Sequence, residues 1–84
     1  MTANAAEKRY MGRVAELPCI TCGSVEVQVH HIREERIKNH YLTVPLCFQC
    51  HLGAFSIHKS KRQFESVYGC ELTLLAKTIE ALNK

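Results

Sequence analysis

The chain lacks any apolar run long enough to cross a bilayer, which excludes a membrane-spanning helix as its organising element. Its opening residues, MTANAAEKRY, lack the charged-then-apolar order of a secretory signal peptide. A cytoplasmic protein with no membrane partner is therefore expected. Internal repeats, linkers and low-complexity tracts are absent, so the 84 residues are read as one domain, 1–84. A strong excess of one charge is missing as well: the formal net charge of +3 permits an anionic partner without requiring one. Aromatic residues make up only 7% of the chain and do not interleave with basic ones, so any nucleic acid is expected to be read through backbone and shape.

An even set of cysteines is the last thing lacking. Five are present, and in a reducing compartment C-x-x-C pairs read as metal ligands rather than disulfides. So short a chain buries a limited share of its surface, and a metal cross-link helps to fix its fold. Cys19-Ile20-Thr21-Cys22 and Cys47-Phe48-Gln49-Cys50 supply four thiolates, the full complement of tetrahedral zinc. A site closed in this way has no open position for substrate and organises the fold. Cys70 has no partner in the sequence and is expected to be a small buried residue.

Local signals place these knuckles among regular elements. Asn4 with Glu7 has capping-box spacing, predicting a helix over about 5–17 that Pro18 stops, with Tyr10, Val14 and Leu17 on its buried face. Gly23 suits the backbone turn of the first knuckle. In VEVQVHHI the valines 25, 27 and 29 alternate with Glu26 and Gln28, the mark of a half-buried strand. A charged loop over 33–39 and a second short strand, YLTVPL, follow, with Pro45 best placed at an edge. The second knuckle opens a short helix. Ser60 with Gln63 repeats the capping spacing for a helix over 61–68, ended by Gly69. A last helix over 71–82 carries a core stripe of Leu72, Leu75, Ala76, Ile79 and Leu82.

The histidines are then free for other work. Strict strand geometry points His30 and His31 to opposite faces, His31 continuing the valine face; a bend at the strand end is expected to bring both rings to one cleft. A histidine beside a metal can ligate it, while its neighbour, with a pKa near neutrality, can act as general base. His51 follows Cys50 directly, so zinc fixes its position too, and it is the best second ligand. His58 would be too distant along an unbroken helix, but Gly53 weakens helix there and GAFSIH can loop it back. His40, in the charged segment, is expected to be solvated. Arg33 and Arg36 on one side, and Lys59, Lys61 and Arg62 on the other, flank the histidines and can contact phosphates.

Taken in order, CITCG, VHHI, YLTVPLCFQCH and IH resemble the HNH, or ββα-metal, nucleases, and more narrowly the phage recombination enhancement function (Ref) nucleases, which depend on RecA. The resemblance runs over about residues 8–64. It implies an α+β fold, a small zinc-stabilised ββα-metal, treble-clef-like domain with flanking N- and C-terminal helices. It implies DNA endonuclease activity leaving a 5′-phosphate, with His31 as general base and His30, His51 and His58 around a catalytic Mg²⁺ or other divalent cation. Cys19, Cys22, Cys47 and Cys50 would hold the structural Zn²⁺, and a RecA filament would be a partner. Many members place an asparagine about five residues before the third cysteine. Here that position is Leu42, with Asn39 offset from it, and the middle letter of the motif stays unassigned. The alternative is a zinc-stabilised module that binds DNA or a recombinase without cutting.

Overall fold

A computed structural model describes residues 3–34 and 37–84, and the side chains of all these except 33, 34, 37 and 38. The order of elements is α1 (Ala5–Ala15), β1 (Gln28–Glu34), β2 (Ile37–Leu46), α2 (Phe48–Leu52), α3 (Lys61–Tyr68) and α4 (Glu71–Leu82). The architecture is thus α+β: one antiparallel pair of strands with helices packed around it.

Helix α1 starts at the expected capping box, with Asn4 Oδ1 accepting from Glu7 N and Glu7 Oε1 accepting from Asn4 N, both at 2.8 Å. It ends at Ala15, two residues short of Leu17. The residue before a proline is disfavoured in helical conformation, so the chain loosens into i→i+3 bonds from Glu16 to Arg13 and from Leu17 to Val14 before Pro18. Val14 is fully buried, and the helix packs mainly on β2. Arg13 Nη2 donates to Leu82 O at 3.0 Å, joining α1 to the end of α4.

Strand β1 begins three residues later than the valine alternation suggests, and its buried face is the opposite one. Val25 is 87% exposed, while His30 and Ile32 are 3% and 4% exposed. The preceding knuckle is bonded within itself and to the end of β2, Cys19 N to Ser24 O, Gly23 N to Cys19 O and Ile20 N to Pro45 O, which commits residues 19–24 to a turn rather than a ladder. Gly23 makes this turn at φ 81°. Pairing opens with Gln28 opposite Leu46.

The segment read as a charged loop is instead partly strand, since Arg33 and Glu34 pair with Lys38 and Ile37. Between His31, opposite Thr43, and Arg33, opposite Lys38, the register shifts, so residues 39–42 of β2 face Ile32 alone. This large bulge is held by Tyr41 N donating to Asn39 Oδ1 at 2.9 Å and by Thr43 Oγ1 donating to His40 O. Pro45 is tolerated because both strands of a two-stranded sheet are edges.

Val44, Leu46, Ile57, Phe64 and Leu74 form the core together with Ile32 and three cysteines. Helix α4 turns a different stripe inward from the one expected: Leu74 and Thr78 are buried and Leu75 partly so, whereas Leu72 and Ile79 face solvent. Thr78 can stand in this core because its hydroxyl donates to Leu74 O at 2.9 Å. Cys70, expected to be buried, is exposed at the N-cap of α4, outside the reach of the core. Ser60 does not make the capping box; its hydroxyl donates instead to Ala54 O at 2.8 Å, drawing the loop before α3 back on itself. Among the described residues no helix is long and apolar enough to cross a membrane.

Candidate metal centres and the histidine cleft

Cys19 and Cys22 come from the turn after α1, Cys47 from the N-cap of α2 and Cys50 from within it. The hairpin folds these two stretches together so that all four sulfurs lie within 4.8 Å of one another. Three of the four residues are buried, and Cys22 is exposed. Thr21 Oγ1 donates to Cys50 Sγ at 3.1 Å and lies 3.2 Å from Cys19 Sγ. Burial pushes Cys50 up to about 12, while Cys19 is held down to about 6 against its burial by Thr21 and surrounding amides. Sulfurs this close cannot all ionise without a cation between them, and the all-sulfur donor set fits Zn²⁺ in a closed structural site.

A second cluster lies next to the first. His30 from β1, His51 from α2 and His58 from the loop after it present ring nitrogens within 4.8 Å of one another. Ring centroids are 5.1 Å apart for His30 and His51, 4.9 Å for His30 and His58, and 4.7 Å for His51 and His58. His51 is placed by the second cysteine knuckle, since its amide bonds to Cys47 O in the first turn of α2. The return of His58 depends on Gly53, where a Cβ would meet Gln49 O at 2.6 Å, and on Ile57 N bonding to Cys50 O at 2.9 Å.

Two of the three rings have their outer nitrogen engaged. His30 Nε2 lies 2.7 Å from Glu71 Oε2, and His51 Nδ1 donates to Gln28 Oε1 at 2.7 Å. That leaves His30 Nδ1, buried and with no hydrogen-bond partner, and His51 Nε2 to join a His58 nitrogen at a metal. Burial lowers the His30 pKa, partly opposed by Glu71, and burial with the neighbouring rings brings His51 down to about 4. Neutral imidazoles are the form that ligates. Glu71 is the inverse: its burial is outweighed by His30 and Lys61, and its carboxyl lies below the usual range. A neutral His30 donating Nε2–H to an ionised Glu71 satisfies both directions, and carboxylate–histidine pairs of this kind orient metal ligands.

His31 is half-buried and joins His30, His58, Lys61 and Glu71 around a shallow cavity of about 280 Å³. The two adjacent histidines therefore do line one cleft, although they stand within β1, which runs on to Glu34, and not at a strand end. His40, expected in solvent, is only 8% exposed: the β2 bulge turns it inward, with Nδ1 3.1 Å from His31 Nε2. Lys59, Lys61 and Arg62 are exposed beside His58, with Lys61 Nζ 3.2 Å from Glu71 Oε1. Arg36 lies outside the described residues, as does the side chain of Arg33.

Residues 2–83 match the model of a family described as "Protein of unknown function (DUF968)". The chain belongs to the DUF968 family. No curated protein matches it. In this DUF968 chain three site residues escaped the sequence reading. Gln28 had a usable signal, because it sits two places before His30 on the same strand face. Glu71, 41 positions from His30, had none, and His40 was concealed by the bulge.

Proposed function

We propose that this DUF968 protein is a metal-dependent DNA endonuclease of the HNH, ββα-metal type. One observation carries the reading: three imidazoles converge beside a closed cysteine site, with a buried, unpartnered His30 Nδ1 among them and His31 at the cavity wall. The element order β1, β2, α2, with histidines on the first strand and on the helix, is consistent with it.

In this mechanism His30, His51 and His58 would hold a divalent cation, and Glu71 and Gln28 fix the rings of the first two. When bound, the cation stabilises charge on the scissile phosphate and on the departing oxygen. His31 takes the proton from the attacking water. Lys59 and Arg62 bind flanking phosphates, and Lys61 adds positive charge at the cavity edge while paired with Glu71. Three nitrogen donors suit a borderline ion such as Zn²⁺, Co²⁺ or Ni²⁺ better than Mg²⁺, which prefers oxygen ligands and its own waters. The cysteine site takes no part in the chemistry.

The test is nicking of supercoiled and single-stranded DNA by zinc-replete protein in Mg²⁺, Mn²⁺, Co²⁺ or Ni²⁺, comparing wild type with His31→Ala. Cleavage that the variant loses supports the reading. Absence of cleavage under every condition would favour a zinc-stabilised binding module. Parallel lanes with RecA filaments test the partner that the Ref resemblance implies.

A further inference from the structure

We infer that His40 is a positioning residue for His31, holding the ring of the proposed general base in one orientation and one tautomer. This rests on the nuclease reading and adds a residue to it. The contact is specific: His40 Nδ1 lies 3.1 Å from His31 Nε2, with the rings nearly perpendicular at 80°. It is also built. Residues 39–42 bulge out of the ladder opposite Ile32, and the Asn39 carboxamide and the Thr43 hydroxyl both bond within that bulge. Such irregularities re-aim side chains near active sites, and here the re-aimed side chain is His40.

Packing alone does not account for a histidine at this position. His40 is buried, yet its Nε2 has no hydrogen-bond partner, a cost that an aliphatic side chain would avoid. What the imidazole provides, and leucine would not, is an acceptor at Nδ1. If His31 donates Nε2–H to that acceptor, its basic lone pair stays on Nδ1, and its ring plane is set by two strands rather than by one rotamer. The ring contact and side-chain hydrogen bond that His40 makes are both with His31, so it acts through His31.

The test uses full-length protein with both metal sites loaded and three variants: His40→Ala, His40→Asn and the double variant His31→Ala/His40→Ala. Asparagine places its Oδ1 near the site of the lost Nδ1. Expected for His40→Ala is a fall in kcat of roughly ten- to hundred-fold, with KM for DNA and zinc content unchanged. His40→Asn should recover most of the loss, and the double variant should be no slower than His31→Ala alone. Ring ¹⁵N shifts of His31 should report one tautomer in wild type and in His40→Asn, and a mixture in His40→Ala. If active wild type and His40→Ala agree within twofold, the positioning role falls and the nuclease reading stands. Folded His40→Asn as slow as His40→Ala would also overturn it. A wild type that cuts nothing removes the nuclease reading and this role together. Should His40→Ala fail to fold, His40→Leu, which fills the position without an acceptor, takes its place and is judged by the same limits.

Discussion

Replacing Glu71 by alanine should weaken the histidine site without emptying the cysteine site. Glu71 Oε2 lies 2.7 Å from His30 Nε2, and the two side chains are 19% and 4% exposed. A hydrogen bond to a charged group in such a setting contributes about 1.5–3 kcal/mol. At about 1.4 kcal/mol per tenfold, the metal Kd should rise roughly ten- to hundred-fold. The ion pair between Glu71 and Lys61 adds little, because Lys61 is 58% exposed. Glu71→Gln keeps an acceptor for His30 but removes the charge, and should lose less than tenfold. The assay is a competition titration of Co²⁺ against a chromophoric chelator, with the cysteine site already filled by zinc. Because alanine also removes an acidic residue from the first turn of α4, melting curves should confirm the fold. Affinity of Glu71→Ala within twofold of wild type would refute the claim that this carboxylate orients His30.

Other substitutions probe the scaffold. Cys47→Ala should release zinc and unfold the domain, seen as loss of both zinc stoichiometry and far-UV ellipticity. Gly53→Ala forces a Cβ against Gln49 O, 2.6 Å away, and should cost about 1–3 kcal/mol in urea unfolding while weakening metal binding through His58. Asn4→Ala removes the reciprocal cap of α1 and should cost about 1 kcal/mol, with metal affinity unchanged. Leu72→Ala, at a position 68% exposed, should barely shift the melting temperature, whereas Leu74→Ala, fully buried, should cost about 2–5 kcal/mol.

What could be read in the sequence was local. The C-x-x-C pairs needed only a hairpin to meet, Asn4 and Glu7 bond across one turn, and Gly69 ends α3 at φ 97°. The looping back of His58 was readable from Gly53. Errors arose where a tertiary demand outweighed a local pattern. Val25 obeyed the strand alternation, but it follows the knuckle and precedes the ladder, which starts at Gln28, and its side chain is left in solvent. On α4 two stripes were available, and the chain buried Leu74 with Thr78, whose hydroxyl is satisfied within the helix. Nothing local to residues 39–42 reveals that they face a single residue across the sheet, and hence that His40 is buried. Glu71 meets His30 only through the packing of α4.

The five residues of α2 carry both centres, Cys50 to one and His51, its chain neighbour, to the other. A single turn of helix is far below the length that persists by itself in water, so α2 exists because the sulfur cage grips it. Stripping that cage should slacken His51 and the loop returning His58 together. Chelator sensitivity in a cleavage assay would therefore mislead. A metal that never approaches the phosphate would pass every removal-and-restoration test for a catalytic ion, and only selective refilling of the two centres would tell the hinge pin from the blade.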